Sequence, residues 1–131
     1  MTRINVIPVS ELSDQHLIVE YHELPRVLKQ NINIADAPEK YCLGRGHMKW
    51  AKLHARYCVG RYLDLRKEMT HRGFQVNYEP WKATNYSPLE YYRTADDIEL
   101  NRQRIREKYN MKPNWYRWTN RKKPEWLEQG V

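Results

Sequence analysis

An all-α fold is the reading that three features of this sequence support. Apolar residues recur at steps of three and four, no segment alternates strictly as a half-buried strand does, and capping residues frame the periodic stretches. The 131 residues suffice for one modest core but not for two. The expected architecture is a single domain, 1–131, with three main helices, long irregular loops and an aromatic-basic C-terminal tail.

The first predicted helix starts after Ser13, carries Asp14 in its first turn and runs to about Lys29. Leu17, Tyr21, Leu24 and Leu28 form one stripe at helical spacing. Pro25 removes an amide donor inside that pattern, which predicts a kink or a break. Residues 30–43, with Pro38, read as a connecting loop.

The second helix is the clearest. Ala51, Ala55, Cys58, Tyr62, Leu65 and Met69 make a continuous seam from about His47 to Arg72, and Gly73 suits a left-handed stop. Lys49, Lys52, Arg56, Arg61, Arg66 and Lys67 surround the seam and are expected on wet faces. Residues 74–93, with Pro80 and Pro88, read as a long packed loop.

Thr94 is placed to cap a third helix, with Asp96, Asp97 and Glu99 early and Arg102, Arg104, Arg106 and Lys108 late, a gradient that complements the helix dipole. Ile98, Ile105 and Tyr109 mark its core side. Beyond Pro113, Trp115, Tyr116 and Trp118 interleave with Arg117, Arg121, Lys122 and Lys123.

The formal charge of +7 points to a polyanionic partner. It is uneven: residues 1–40 carry a net −2, residues 41–73 a net +6 and residues 74–131 a net +3. A solvated helix face explains the middle run equally well; the tail favours a phosphate-binding surface. Ten Tyr and five Trp against one Phe are rings with a polar edge, suited to half-wet surfaces and to stacking on a ligand. No apolar stretch approaches the ~20 residues of a membrane span, and the N-terminus lacks a signal-peptide pattern. Cys42 and Cys58 match neither a metal spacing nor a disulfide framework, and the five histidines lack a zinc signature. No metal or other cofactor is expected, and the reducing cytoplasm is the expected compartment.

Two places can carry chemistry. Thr2 is small enough for Met1 to be removed, leaving a free amine beside Arg3. Such an amine has a pKa near ~8, so a useful fraction is neutral and nucleophilic at pH 7. The competing reading is an N-terminus with no chemical role. On the first helix, His16 and Glu23 lie seven residues apart, within ~20° of each other, and Arg26 lies about a sixth of a turn further on. That is an acid flanked by a histidine and an arginine, or an ordinary solvated face with an (i, i+3) ion pair. The tail rings can stack on bases while its cations meet phosphates, or they can pack on the core.

The run MTRIN, followed by VSELSDQHLIVEYHELPRV, closely resembles the opening of the pyrimidine-dimer DNA glycosylases of the phage endonuclease V type. The resemblance continues through LGRGH (43–47), KEMTHRGF (67–74), RIREK (104–108) and KPNWYRW (112–118). It implies a DNA repair enzyme, a bifunctional glycosylase and abasic-site lyase that excises the 5′ base of a cyclobutane pyrimidine dimer. The Thr2 amine would attack C1′ and leave an imine, and β-elimination would cut the strand on the 3′ side. Glu23 matches the catalytic carboxylate. Arg3, Gln15, His16, Arg26, Arg104 and Lys108 match DNA-facing positions, and Trp115, Tyr116 and Arg117 fall in the region that approaches the lesion. The implied partner is double-stranded DNA with damaged bases, met by a monomer in the cytoplasm of a bacterial or phage-infected cell, with no membrane partner. His22 stands where the family typically has arginine, which weakens a DNA contact and makes it pH-sensitive. The 30–41 loop is short and poor in basic residues. Two alternatives stay open: the same chemistry on other damaged bases, and a DNA-binding homologue without catalysis.

Overall fold

The computed structural model describes residues 4–76 and 89–128. They form four helices, α1 (Asp14–Lys29), α2 (His47–Leu53), α3 (Ala55–His71) and α4 (Ala95–Met111), with 3-10 turns at Val9–Glu11 and Glu125–Glu128. No strand occurs among the described residues, as an all-α fold requires. Most of the predicted 74–93 loop, together with Thr2 and Arg3, lies outside the described residues.

α1 begins as its sequence suggests. The Ser13 hydroxyl accepts the His16 amide at 3.1 Å, meeting one of the donors that a helix start leaves orphaned. Pro25 neither breaks nor ends the helix, which continues through it to Lys29. The proline costs one backbone donor, but Tyr21, Leu24, Pro25, Val27 and Leu28 are all buried there, so burial of the surrounding turns offsets the loss.

The single helix expected from His47 to Arg72 is two, α2 and α3, meeting at His54, whose backbone leaves helical values (φ −101°, ψ 40°). The His54 ring is buried, bonded through Nε2 to the Glu39 carbonyl at 2.8 Å and packed against Trp50 and Tyr91. The apolar seam runs on across the break, with Ala51, Ala55, Cys58, Tyr62, Leu65 and Met69 all buried. α3 ends as predicted: Gly73 takes φ +81°, and Phe74 N donates to Met69 O at 2.9 Å, closing a left-handed cap.

α1 packs chiefly on α3, where Tyr21 and Tyr62 stack with centroids 5.4 Å apart. One cation expected in solvent is inside this interface. Arg61 is 4% exposed and grips Glu20 of α1 with two hydrogen bonds, Nε at 2.9 Å and Nη2 at 3.1 Å. Burial pushes the Arg61 pKa down, but Glu20 outweighs it and holds the guanidinium charged. Periodicity placed Arg61 beside the seam; the carboxylate on the facing helix draws it in.

Residues 4–7 run through the middle of the molecule in no helix, and all four are buried. Buried backbone must be hydrogen-bonded, and here side chains do all of it. Ile4 N donates to His47 Nε2, Asn5 N to Glu20 Oε2, and Val6 N and Ile7 N both to Asn101 Oδ1. The four carbonyls accept from Tyr41, Tyr57, Arg93 and Arg61 in turn. The Asn5 side chain joins the same set, donating to Glu20 Oε1 and accepting from Asn101 Nδ2, each at 2.8 Å. Every helix therefore contributes at least one group to this segment.

α4 is capped by Thr94, whose hydroxyl accepts Asp97 N at 3.1 Å, and it buries Ile105 and Tyr109 as predicted. The C-terminal arm then returns to the start of α1. Asp14 N donates to Arg117 O at 2.6 Å, the Asp14 carboxylate takes the Thr119 amide and hydroxyl, and Trp118 Nε1 donates to Glu11 O. Glu68 of α3 holds Arg72 and Arg121 together; burial alone pushes its pKa up, but their hydrogen bonds outweigh that and hold it low.

Candidate active site

Where the C-terminal arm crosses α1 and α4, a cavity of about 240 Å³ is lined by Asn5, Gln15, His16, Val19, Arg104, Ile105, Lys108, Trp115 and Tyr116. Six of these nine, Gln15, His16, Arg104, Lys108, Trp115 and Tyr116, are residues that the sequence assigned to DNA contact. They come from three separate stretches of chain, and folding brings them around one opening.

Each is held for a physical reason. Gln15 uses both ends of its amide on the arm, Nε2 donating to Trp115 O at 2.7 Å and Oε1 accepting Arg117 N at 3.1 Å. His16 lies flat on Tyr116, with centroids 4.9 Å apart and 6° between planes, and its Nδ1 meets Ser13 Oγ at 2.7 Å. Burial, helped by the positive charge of Lys108, lowers the His16 pKa to about 4. His16 therefore enters the site as a neutral ring at pH 7. Arg104 and Lys108 are one turn apart on α4 and supply the positive rim. Trp115 is 55% exposed, with the Lys112 ammonium 5.8 Å from its ring, so it presents a face to solvent rather than to the core.

The arm is divided between core and solvent. Tyr116 and Trp118 are half-buried against the core, while Trp115 and Arg117 stay exposed. Arg121 is committed to Glu68, Lys122 to Glu125 and Lys123 to Glu128.

Glu23 lies one turn of α1 beyond Val19, which lines the cavity, so cavity and carboxylate share a face. Its side chain is 19% exposed, and Oε1 is 3.3 Å from Nη1 of the exposed Arg26. This is the (i, i+3) pair the sequence allowed. His22 is exposed beside them, its ring edge against Tyr21. Gln15, His22 and Arg26, spaced by seven and four, follow one strip of the helix.

Sequence reasoning missed the residues that hold segment 4–7: Glu20, His47, Asn101 and Arg61. Asn101 and Glu20 occupy apolar-stripe surroundings as polar residues, and that interruption of the helical pattern was the available signal.

Residues 1–82 match the family described as pyrimidine dimer DNA glycosylase. The matched part includes Thr2, Arg3, α1 with Glu23, α2 and α3. Arg104, Lys108, Trp115, Tyr116 and Arg117 lie beyond it and join the site through the cavity and the Gln15 contacts.

Proposed function

The chain belongs to the pyrimidine dimer DNA glycosylase family, a DNA repair glycosylase acting on DNA that carries pyrimidine dimers, and from that premise we propose that it works through an N-terminal amine and cuts the strand as a lyase. The observation that carries this reading is the placement of the N-terminal segment. Asn5 is bonded to Glu20, one turn of α1 before Glu23, and also lines the cavity. Three residues reach up to about 10 Å, against a rise of about 4.5 Å from Glu20 to Glu23 along the helix. A chain of that length can carry an amine at Thr2 to both the carboxylate and a nucleotide at the cavity mouth.

The chemistry follows from those groups. The lone pair of the Thr2 amine forms a bond to C1′ while the glycosidic bond breaks, and the base leaves with its electron pair and takes up a proton. Loss of a proton from nitrogen and opening of the sugar ring, with O4′ protonated, give a protonated imine at C1′. That cation is the electron sink: a proton leaves C2′, the electrons form the C2′–C3′ double bond, and the 3′ phosphate departs with its C–O pair. Water then releases the amine. Glu23 stabilises the cation and carries the protons, a role suited to a carboxylate near a positive intermediate.

The rest of the face binds. Arg26, Arg104, Lys108 and Arg117 neutralise phosphates, and Trp115 stacks on a base. The cavity, walled by His16 and Tyr116 on one side and rimmed by cations, accepts a planar base turned out of the duplex, the general requirement when an enzyme works on a stacked nucleotide. A monomer acting on DNA in the cytoplasm completes the reading; among the described residues no helix is long and apolar enough to cross a membrane.

Borohydride trapping on a duplex with one cyclobutane pyrimidine dimer tests the proposal. A covalent protein–DNA adduct is expected with protein whose mass shows Met1 removed, and no adduct once the amine is acetylated. Acetylated protein that still traps would move the nucleophile to a lysine.

A further inference from the structure

The LGRGH stretch (43–47) is not absorbed by the cavity or by the carboxylate, yet its geometry is specific. Gly44 and Gly46 both have positive φ, +69° and +89°, a conformation that side chains rarely adopt. These turns fold the chain back so that His47, the first residue of α2, meets the Cys42 carbonyl with Nδ1 at 2.8 Å. A carbonyl only accepts, so the proton sits on Nδ1, and Nε2 is left as an acceptor. That acceptor takes Ile4 N–H at 3.1 Å. The ring is 3% exposed and enclosed edge-on by Tyr41 and in parallel by Trp50, so it has no room to swing away.

From this arrangement we propose that His47 is a positioning residue for the N-terminal nucleophile, a role that rests on the amine chemistry proposed above. Ile4 N–H is the first backbone group of the described N-terminal segment, two residues from Thr2, and His47 holds it. The hydrogen bonds at Asn5, Val6 and Ile7 fix the segment further along, but they leave rotation at Ile4 open. His47, together with Tyr41 on the Ile4 carbonyl, closes that freedom at both polar groups of the residue. Ile4, the first described residue, is therefore held at both its donor and its acceptor. An amine that must start about 3–3.5 Å from C1′ gains rate from a fixed anchor two residues away, because misplacement by about 1 Å can cost on the order of a hundredfold.

The two halves of the imidazole can be tested separately. In His47→Gln the side-chain oxygen replaces Nε2 as acceptor for Ile4. In His47→Asn the shorter amide replaces Nδ1, keeping the hydrogen bond to Cys42 O and leaving Ile4 N–H without its acceptor. Single-turnover borohydride trapping at saturating abasic-site duplex, binding of the same duplex, and exchange of the Ile4 amide by NMR are compared with wild type. His47→Asn is expected to trap about tenfold or more slowly, with binding within about twofold, and with Ile4 exchange accelerated. His47→Gln is expected to trap within about threefold of wild type and to keep Ile4 protected. A His47→Asn protein that traps at the wild-type rate overturns the role, as does a Gln variant that falls as far as the Asn one. Wild-type protein that forms no adduct overturns the amine chemistry and this role together, which the two variants alone would not do.

Discussion

The imidazole of His16 lies parallel to the ring of Tyr116, with centroids 4.9 Å apart. The stacking pins the C-terminal arm to α1 at the cavity wall, and it is made by a neutral ring. Because the His16 pKa is lowered to about 4 from 6.5, the unfolded chain binds a proton here before the folded one does. Stability contributed by the neutral ring is fully present above 6.5 and is lost as pH falls from there toward 4. The melting temperature should drop over that window, and His16→Phe, which keeps the stacking, should flatten the drop. DNA binding should gain nothing from His16 between pH 7 and pH 5; a His16 ring resonance titrating near 6.5 by NMR would contradict the neutral assignment.

Glu23 is the group whose loss should separate binding from cleavage. Its side chain is 19% exposed on the cavity face of α1 and pairs with Arg26, so Glu23→Gln removes proton transfer while keeping volume. Lesion binding should stay within about threefold, and strand cleavage should fall by about a hundredfold or more, the size of effect that a positioned acid–base group supplies. Equal loss of both in gel-shift and nicking assays would make Glu23 a structural residue.

Arg104 and Arg26 should act through charge alone. Arg104 rims the cavity and Arg26 is exposed on α1. Replacing either by alanine should weaken binding of lesion and plain duplex alike, and should reduce the slope of log K against log salt by about 0.9 for each phosphate no longer neutralised. An unchanged slope in Arg104→Ala would place phosphate elsewhere.

The Glu20–Arg61 pair gives a stability prediction. Both side chains are nearly fully buried, at 1% and 3% exposed. Removing one partner strands a charge in the core, and Arg61→Met should cost about 3–5 kcal/mol, read from urea unfolding. Glu20→Gln puts an amide donor where a carboxylate oxygen accepts from Asn5 and Arg61 and strands the Arg61 charge, so it should cost a similar amount. A neutral effect of Arg61→Met would mean that water reaches the pair.

The helices and the seam were legible because burial imposes a helical period that the chain displays residue by residue: Ala51 through Met69 is buried as the spacing requires. The His54 break was not legible, since the step from Ala51 to Ala55 passes over it unchanged and its cause is a carbonyl fifteen residues away. Arg61 was misplaced for a similar reason. A cation beside an apolar seam reads as solvated until a carboxylate on another helix faces it, and Glu20 is 41 residues distant. The cavity residues were legible singly, through charge, ring type and resemblance. Their convergence depends on Gln15 joining the arm a hundred residues later, which periodicity does not encode.

Trp115 and Trp118 of the arm should behave oppositely, although they stand three residues apart. Trp115 is 55% exposed at the cavity mouth, so its removal exposes no core. Trp118 is half-buried, donates Nε1 to Glu11 O at 3.1 Å and packs at 6.3 Å from Tyr109. Trp115→Ala should leave the melting temperature within a degree or two while weakening DNA binding by about 1–3 kcal/mol, the worth of one base on one ring. Trp118→Ala should instead destabilise the protein by about 3 kcal/mol or more, with a cavity left behind and an acceptor on Glu11 unmet. Its effect on DNA binding should appear only as far as the arm loosens. Thermal melts and fluorescence titration with a dimer-containing duplex measure both quantities on the same samples. If Trp115→Ala lowered stability and spared binding, the ring would be part of the core packing and the cavity mouth would lie on another face.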